Sequence, residues 1–237
     1  MDPSENPSAT GTRIRELVLE VAADDRLSPP LIVSIADFCD EVEDAAPEAL
    51  AVLRLRPRAT GRPAPSWPGQ AEIHLVNRWE RALRRLERLA APTVAVAEGV
   101  CSGPALEVLL TCDYRIASAD LLLELRGPGD QIWPGMLVHR LANQLGVGVT
   151  RRLVLFGAKV GAERAAEIGL IDEIADDVPA RLNELGRVAR SATGQEFAIR
   201  RRLLLDATNT SFEDALGGHL AACDRILRRP AAEAVTS

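Results

Sequence analysis

The chain has 237 residues, of which 47% are apolar and 26% charged, and a net charge of −6. This balance suits a packed fold of one large or two small domains. The acidic excess excludes a protein built mainly to grip nucleic-acid phosphates, which leaves a basic footprint. Lysine occurs once, at Lys159 in "FGAKVG", so Schiff-base chemistry has little to draw on, and the setting reads as an exposed turn.

Residues 1–12 lack the basic start and apolar core of a secretory signal and read as a flexible arm. No apolar run reaches membrane-spanning length, so no membrane partner is expected. Cys39, Cys101, Cys112 and Cys223 are widely spaced without CxxC pairs. Neither a metal site nor a disulfide framework is expected, and a reducing cytoplasm is the natural compartment. Cys101 is a candidate nucleophile weighed against a small buried thiol; no histidine is near it in sequence.

In chain order, Leu17 to Ala23 reads as a strand. "SPPLIVSIADFCDEVEDA" reads as a helix capped by Ser28, with Pro29 in its first turn and Ile32, Ile35, Ala36, Cys39 and Val42 on its apolar face. A second strand from Leu50 to Leu55 completes a β-α-β unit, which implies parallel pairing. Arg56 to Gly69 carries four prolines, three arginines and Trp67, too much proline for a helix or inner strand and long enough for a functional loop.

An amphipathic helix follows, with Leu75, Trp79, Leu83, Leu86 and Ala90 on one stripe, its arginines on a solvated face and Pro92 as its stop. "TVAVAEG" is a third strand, and "AEGVCSGPALEVLLTCDYRIAS" reads as strand end, glycine turn, short helix and strand. "LLLEL" adds one more short strand before helical patterns dominate from Met136 onward. With no internal repeat, the economical reading is one α/β core over residues 13–175 and a C-terminal helical region over 176–237.

The run from Pro92 to Asp172 resembles the central segment of the crotonase (enoyl-CoA hydratase/isomerase) superfamily. The residues that carry the resemblance are an alanine-valine strand ending in a glycine turn, a helix ending at Cys112-Asp113, then "RIAS", a Pro134-Gly135 turn and "AAEIGLIDE". It implies an α/β fold of stacked β-β-α units, a coenzyme A thioester as substrate or ligand with no separate cofactor, and a homo-oligomer such as a trimer or hexamer, or a hetero-complex. Within the superfamily, "WPGM", "WERALRRLERL" and "FGAKVGAERAAEIGLIDE" are similar to the short DpgB-like proteins of dihydroxyphenylglycine biosynthesis. That similarity implies a role beside a type III polyketide synthase that makes 3,5-dihydroxyphenylacetyl-CoA for antibiotic biosynthesis.

The resemblance also assigns site residues. Family members polarise the thioester carbonyl with two backbone N–H donors, each worth roughly two to three powers of ten in rate. One donor position falls on Pro104 within Gly103-Pro104-Ala105, and proline has no N–H. The other falls in the proline-rich loop near Ala64 or Ser66, which lacks the family pattern. Of the two proton-transferring glutamates, Glu107 matches the first and Gly127 replaces the second. Asp130 is a further candidate carboxylate facing the acyl-CoA pocket. Three functions stay open: an acyl-CoA dehydratase or isomerase using Glu107, a non-catalytic partner that assists the synthase, and a generic hydratase, which needs both missing groups.

Overall fold

The first strand, β1 (Arg15–Ala22), buries Leu17 and Val21 and exposes Arg15, Glu16, Val18 and Glu20, the pattern of an edge strand. This computed structural model describes residues 15–45, 49–58, 67–125, 132–191 and 194–228. Helix α1 (Pro29–Ala45) starts where Ser28 Oγ accepts from Leu31 N at 3.4 Å, as its sequence predicts. Its buried face includes Leu31 and Phe38 besides Ile32, Ile35, Cys39 and Val42, while Ala36 is only half-buried.

Strand β2 (Ala49–Arg56) pairs parallel with β1, completing the β-α-β unit. Helix α2 (Ile73–Leu86) ends earlier than Pro92 suggests: Glu87 is its C-cap, and Ala90 lies in the turn beyond. Only Trp79, Leu83 and Leu86 of the stripe are fully buried within it.

After α2 come β3 (Thr93–Ala97), β4 (Val100–Ser102), α3 (Gly103–Leu109), β5 (Tyr114–Ala117) and β6 (Leu122–Glu124). Helix α4 (Met136–Phe156) is broken at Gly146, whose φ of 75° separates the two helical segments read from sequence. The chain continues through β7 (Val160–Gly161), α5 (Ala162–Glu167) and β8 (Glu173–Ile174). Three helices follow, α6 (Val178–Ser191), α7 (Gly194–Ala207) and α8 (Phe212–Leu227).

A five-stranded sheet has the order β1-β2-β3-β5-β8, and its paired strands are all parallel. A second sheet, β4-β6-β7, lies beside it. Thus β3 with β4, and β5 with β6, each send one strand to either sheet before a helix, the repeating β-β-α unit. Strands β4, β7 and β8 are two or three residues long, too short to leave a period-2 pattern that sequence reading detects.

The large sheet is covered on both faces, as a parallel sheet requires. Successive residues of β2 and β3 point to opposite cores. Ala51, Leu53, Leu55, Ala95 and Ala97 join the main cluster with α1, α2 and α3, whereas Leu50, Val52, Val94 and Val96 meet Ile116 and Leu182 of α6. Alanines on the main-core side of β3 leave room for α3 to lie against the sheet.

Candidate active site

Helix α3 is aimed by the turn that precedes it. Gly103 adopts φ +54°, and a Cβ there would lie 3.4 Å from the Ala23 carbonyl oxygen and 3.5 Å from Trp67 Cβ. Those are ordinary contact distances, so it is the left-handed backbone that favours glycine here. Pro104 stands in the first turn of α3 and is buried with Ala105. Its missing N–H costs the helix nothing, because first-turn N–H groups have no intrahelical partner. The position offers no backbone donor to a ligand.

Glu107 points into the core and is 1% exposed. Trp67 Nε1 donates to its Oε1 at 3.0 Å, and Trp79 Nε1 donates to its Oε2 at 2.5 Å. The two indoles meet edge to face, with centroids 5.6 Å apart and planes at 69°. Burial pushes the Glu107 carboxyl up to about 7, against the pull of the Trp79 and Trp67 hydrogen bonds toward the ionised form. Glu80 adds a smaller upward push and Arg140 a smaller downward one. A carboxyl at this value exchanges its proton near neutral pH, which is what a general acid or base requires.

The shell behind Glu107 is charged and interlocked. Glu80 of α2 accepts from Met136 N at 3.1 Å and from Arg140 Nη1 at 3.1 Å, so one carboxylate receives the start of α4 and also pairs the buried Arg140. Arg140 Nε lies 3.7 Å from Glu87, which also pairs with Arg84 at 2.5 Å. At the far end of α3, the Leu110 carbonyl accepts from Gln144 Nε2 at 2.9 Å and Arg115 Nη2 at 3.2 Å. The C-cap carbonyl of α3 is thereby tied to α4 and β5.

Gly103, Pro104, Ala105 and Glu107 therefore lie on one short helix start, with Trp67 beside them. Ala64, Ser66, Gly127 and Asp130 lie outside the described residues. The sequence reading did not identify Trp67 and Trp79 as the partners of Glu107. The available signal was chemical: a buried indole N–H needs an acceptor, and Glu107 is the one carboxylate of the apolar helix α3.

Cys101 is buried with its thiol pushed up to about 12 by desolvation, the small core cysteine rather than a nucleophile. Lys159 is exposed and ion-paired with Glu124 at 2.5 Å. Asp113, a landmark of the motif, is a fastener: it accepts from Thr93 N and Oγ1 at 2.8 Å each and from Arg201 Nε at 2.6 Å, joining β3 to α7. Among the described residues no cluster suits a metal ion, and no helix is long and apolar enough to cross a membrane.

Known proteins resemble this arrangement in both sequence and backbone. The family model described as enoyl-CoA hydratase/isomerase matches residues 70–234. An "Enoyl-CoA-hydratase" of Amycolatopsis orientalis is 42% identical over 219 residues, 91% of this chain and 98% of the relative. A mitochondrial delta(3,5)-delta(2,4)-dienoyl-CoA isomerase of Dictyostelium discoideum is 25% identical over 166 residues, 65% of this chain and 55% of the relative. The crystal structure of an enoyl-CoA hydratase/isomerase from Marinobacter aquaeolei superposes with a TM-score of 0.74 at 15% identity, covering 92% of this chain and 90% of that one. An enoyl-CoA hydratase from Shewanella pealeana gives 0.75 at 16% identity, over 91% and 87%. With the stacked β-β-α units and a family match across more than half its length, the chain belongs to the enoyl-CoA hydratase/isomerase family.

Proposed function

We propose that the protein binds an acyl-CoA thioester and moves a proton between acyl carbons, as an isomerase, with Glu107 as its acid/base. The observation that carries this reading is the Glu107 carboxyl, enclosed and pushed up to about 7. One carboxyl can take a proton from one carbon and return it to another. Hydration by a water held between two carboxylates needs a second group, and Gly127 stands at that matched position. Pro104 removes a donor that would stabilise the enolate oxygen, so turnover on simple enoyl-CoA is expected to be slow. The 42% identical relative bearing the name enoyl-CoA-hydratase supports the thioester class.

A second reading rests on the same residues. In it the protein is a DpgB-like auxiliary that binds an acyl-CoA and assists a type III polyketide synthase in cyclising, dehydrating and releasing 3,5-dihydroxyphenylacetyl-CoA. The absent Pro104 donor favours it, as does the engagement of both Glu107 oxygens by indoles. Reconstitution with the synthase and malonyl-CoA separates the two. Loss of assistance in Glu107→Gln supports catalysis here, and undiminished assistance supports the auxiliary role.

A homo-oligomer, a trimer or hexamer, is part of the proposal. Helix α8 has no buried residue and exposes Phe212, Leu216, Leu220, Ile226 and Leu227, more apolar surface than a lone helix leaves in water. The buried free thiols of Cys39, Cys101 and Cys112 accord with a cytoplasmic location.

A further inference from the structure

We propose that Trp67 is a positioning residue for Glu107: its indole N–H holds one carboxyl oxygen while Trp79 holds the other, so that the proline-rich loop fixes where that carboxyl carries its proton. The inference rests on the reading of Glu107 as the acid/base and goes beyond it by assigning the control of that group to a loop residue.

The two indoles differ in their freedom. Trp79 is 1% exposed and packed among core residues of α2, so its N–H is fixed by the fold. Trp67 is half-buried, enters from the loop, and is placed by its edge contact with Trp79 and by the space left over Gly103. A side chain at position 103 would meet Trp67 Cβ and Cγ at 3.5 and 3.6 Å. Trp67 thus packs at contact distance over the turn that starts the helix carrying Glu107.

The charged groups facing Glu107 are Glu80 from α2, which opposes ionisation, and Arg140 from α4, which favours it while paired to Glu80. These two act in opposite directions, and both are smaller than the two indole hydrogen bonds. The indole N–H groups are then the main local force favouring the carboxylate, set against burial, which favours the acid. Removing the Trp67 donor is expected to move the Glu107 midpoint upward by about one pH unit, the shift for losing one hydrogen bond to a charged group.

Two of the three tryptophans, Trp67 and Trp79, touch Glu107, so intrinsic emission reads its titration without substrate. Emission of the full-length protein is recorded from pH 5 to 9 for wild type, Glu107→Gln and Trp67→Phe, the last keeping Trp79 as reporter. The expected result is an inflection near pH 7 in wild type, none in Glu107→Gln, and one about one unit higher in Trp67→Phe. Benzothienylalanine at position 67, which keeps the indole shape without the N–H, gives the same test if phenylalanine loosens the loop. An inflection that stays in place when the N–H is removed, or a wild-type profile matching that of Glu107→Gln, overturns the proposal. Acyl-CoA turnover by Glu107→Gln is measured separately: unchanged turnover refutes the acid/base reading and leaves the titration result to stand by itself.

Discussion

Replacing Glu107 with glutamine removes a single carboxyl from the core while leaving the two indole donors in place. An exposed glutamate in the unfolded chain titrates near 4.5, whereas the folded carboxyl titrates near 7. Between these values the folded protein binds more protons than the unfolded one, so its stability falls as pH rises from about 4.5 through 7 and levels off above. Over the whole interval this amounts to about 3 kcal/mol, of which about 2 to 3 kcal/mol lies between pH 5 and pH 8. Glutamine contributes no such slope. Its amide nitrogen faces one indole N–H, two donors with no acceptor, which costs about 1 to 3 kcal/mol at every pH. Glu107→Gln is therefore expected to be less stable than wild type at pH 5 and to draw level with or pass it at pH 8. Urea unfolding midpoints at pH 5, 6, 7 and 8 for both proteins measure the difference, in which the titration of all other carboxylates cancels. Parallel stability curves would refute the reasoning, because they would mean that burial does not hold the proton on Glu107.

Four further outcomes are expected. Arg201→Ala strips the buried guanidinium from the more exposed Asp113 and should cost about 1 to 3 kcal/mol, read in denaturation, with faster proteolysis between residues 194 and 228 as α7 loosens. Pro104→Gly should cost about 1 kcal/mol through unfolded-chain entropy and raise crotonyl-CoA hydration only modestly; a hundredfold gain would identify the missing donor as the main defect. Leu53→Ala, at a fully buried position of β2, should cost about 2 to 5 kcal/mol, and a loss below 1 kcal/mol would contradict its place in the main core. Leu220→Lys on the exposed face of α8 should shift the protein to a smaller species in size-exclusion chromatography, and an unchanged elution volume would remove α8 from the assembly interface.

The sequence by itself determined the elements long enough to carry a period. The alternation in β1, the capped amphipathic face of α1, the apolar runs of β2 and β3 and the stripe of α2 are local patterns, each set by which side chains must leave water. Gly103-Pro104 also announced a helix start whose second residue has no N–H, because a proline's chemistry is the same wherever it folds. What only the tertiary structure decided are the meetings between distant residues. Strands β4 and β7 exist because neighbours in the second sheet satisfy their backbone groups, and β8 because β5 does so at the edge of the first, a condition no two- or three-residue pattern records. Asp113 became the fastener of α7 through an arginine 88 residues away. Glu107 acquired its raised affinity for a proton from its apolar enclosure, held in check by the indole N–H groups of Trp67, 40 residues before it, and Trp79, 28 before it. Burial and hydrogen-bond direction belong to the space around a side chain, and that space is made only when the chain has folded.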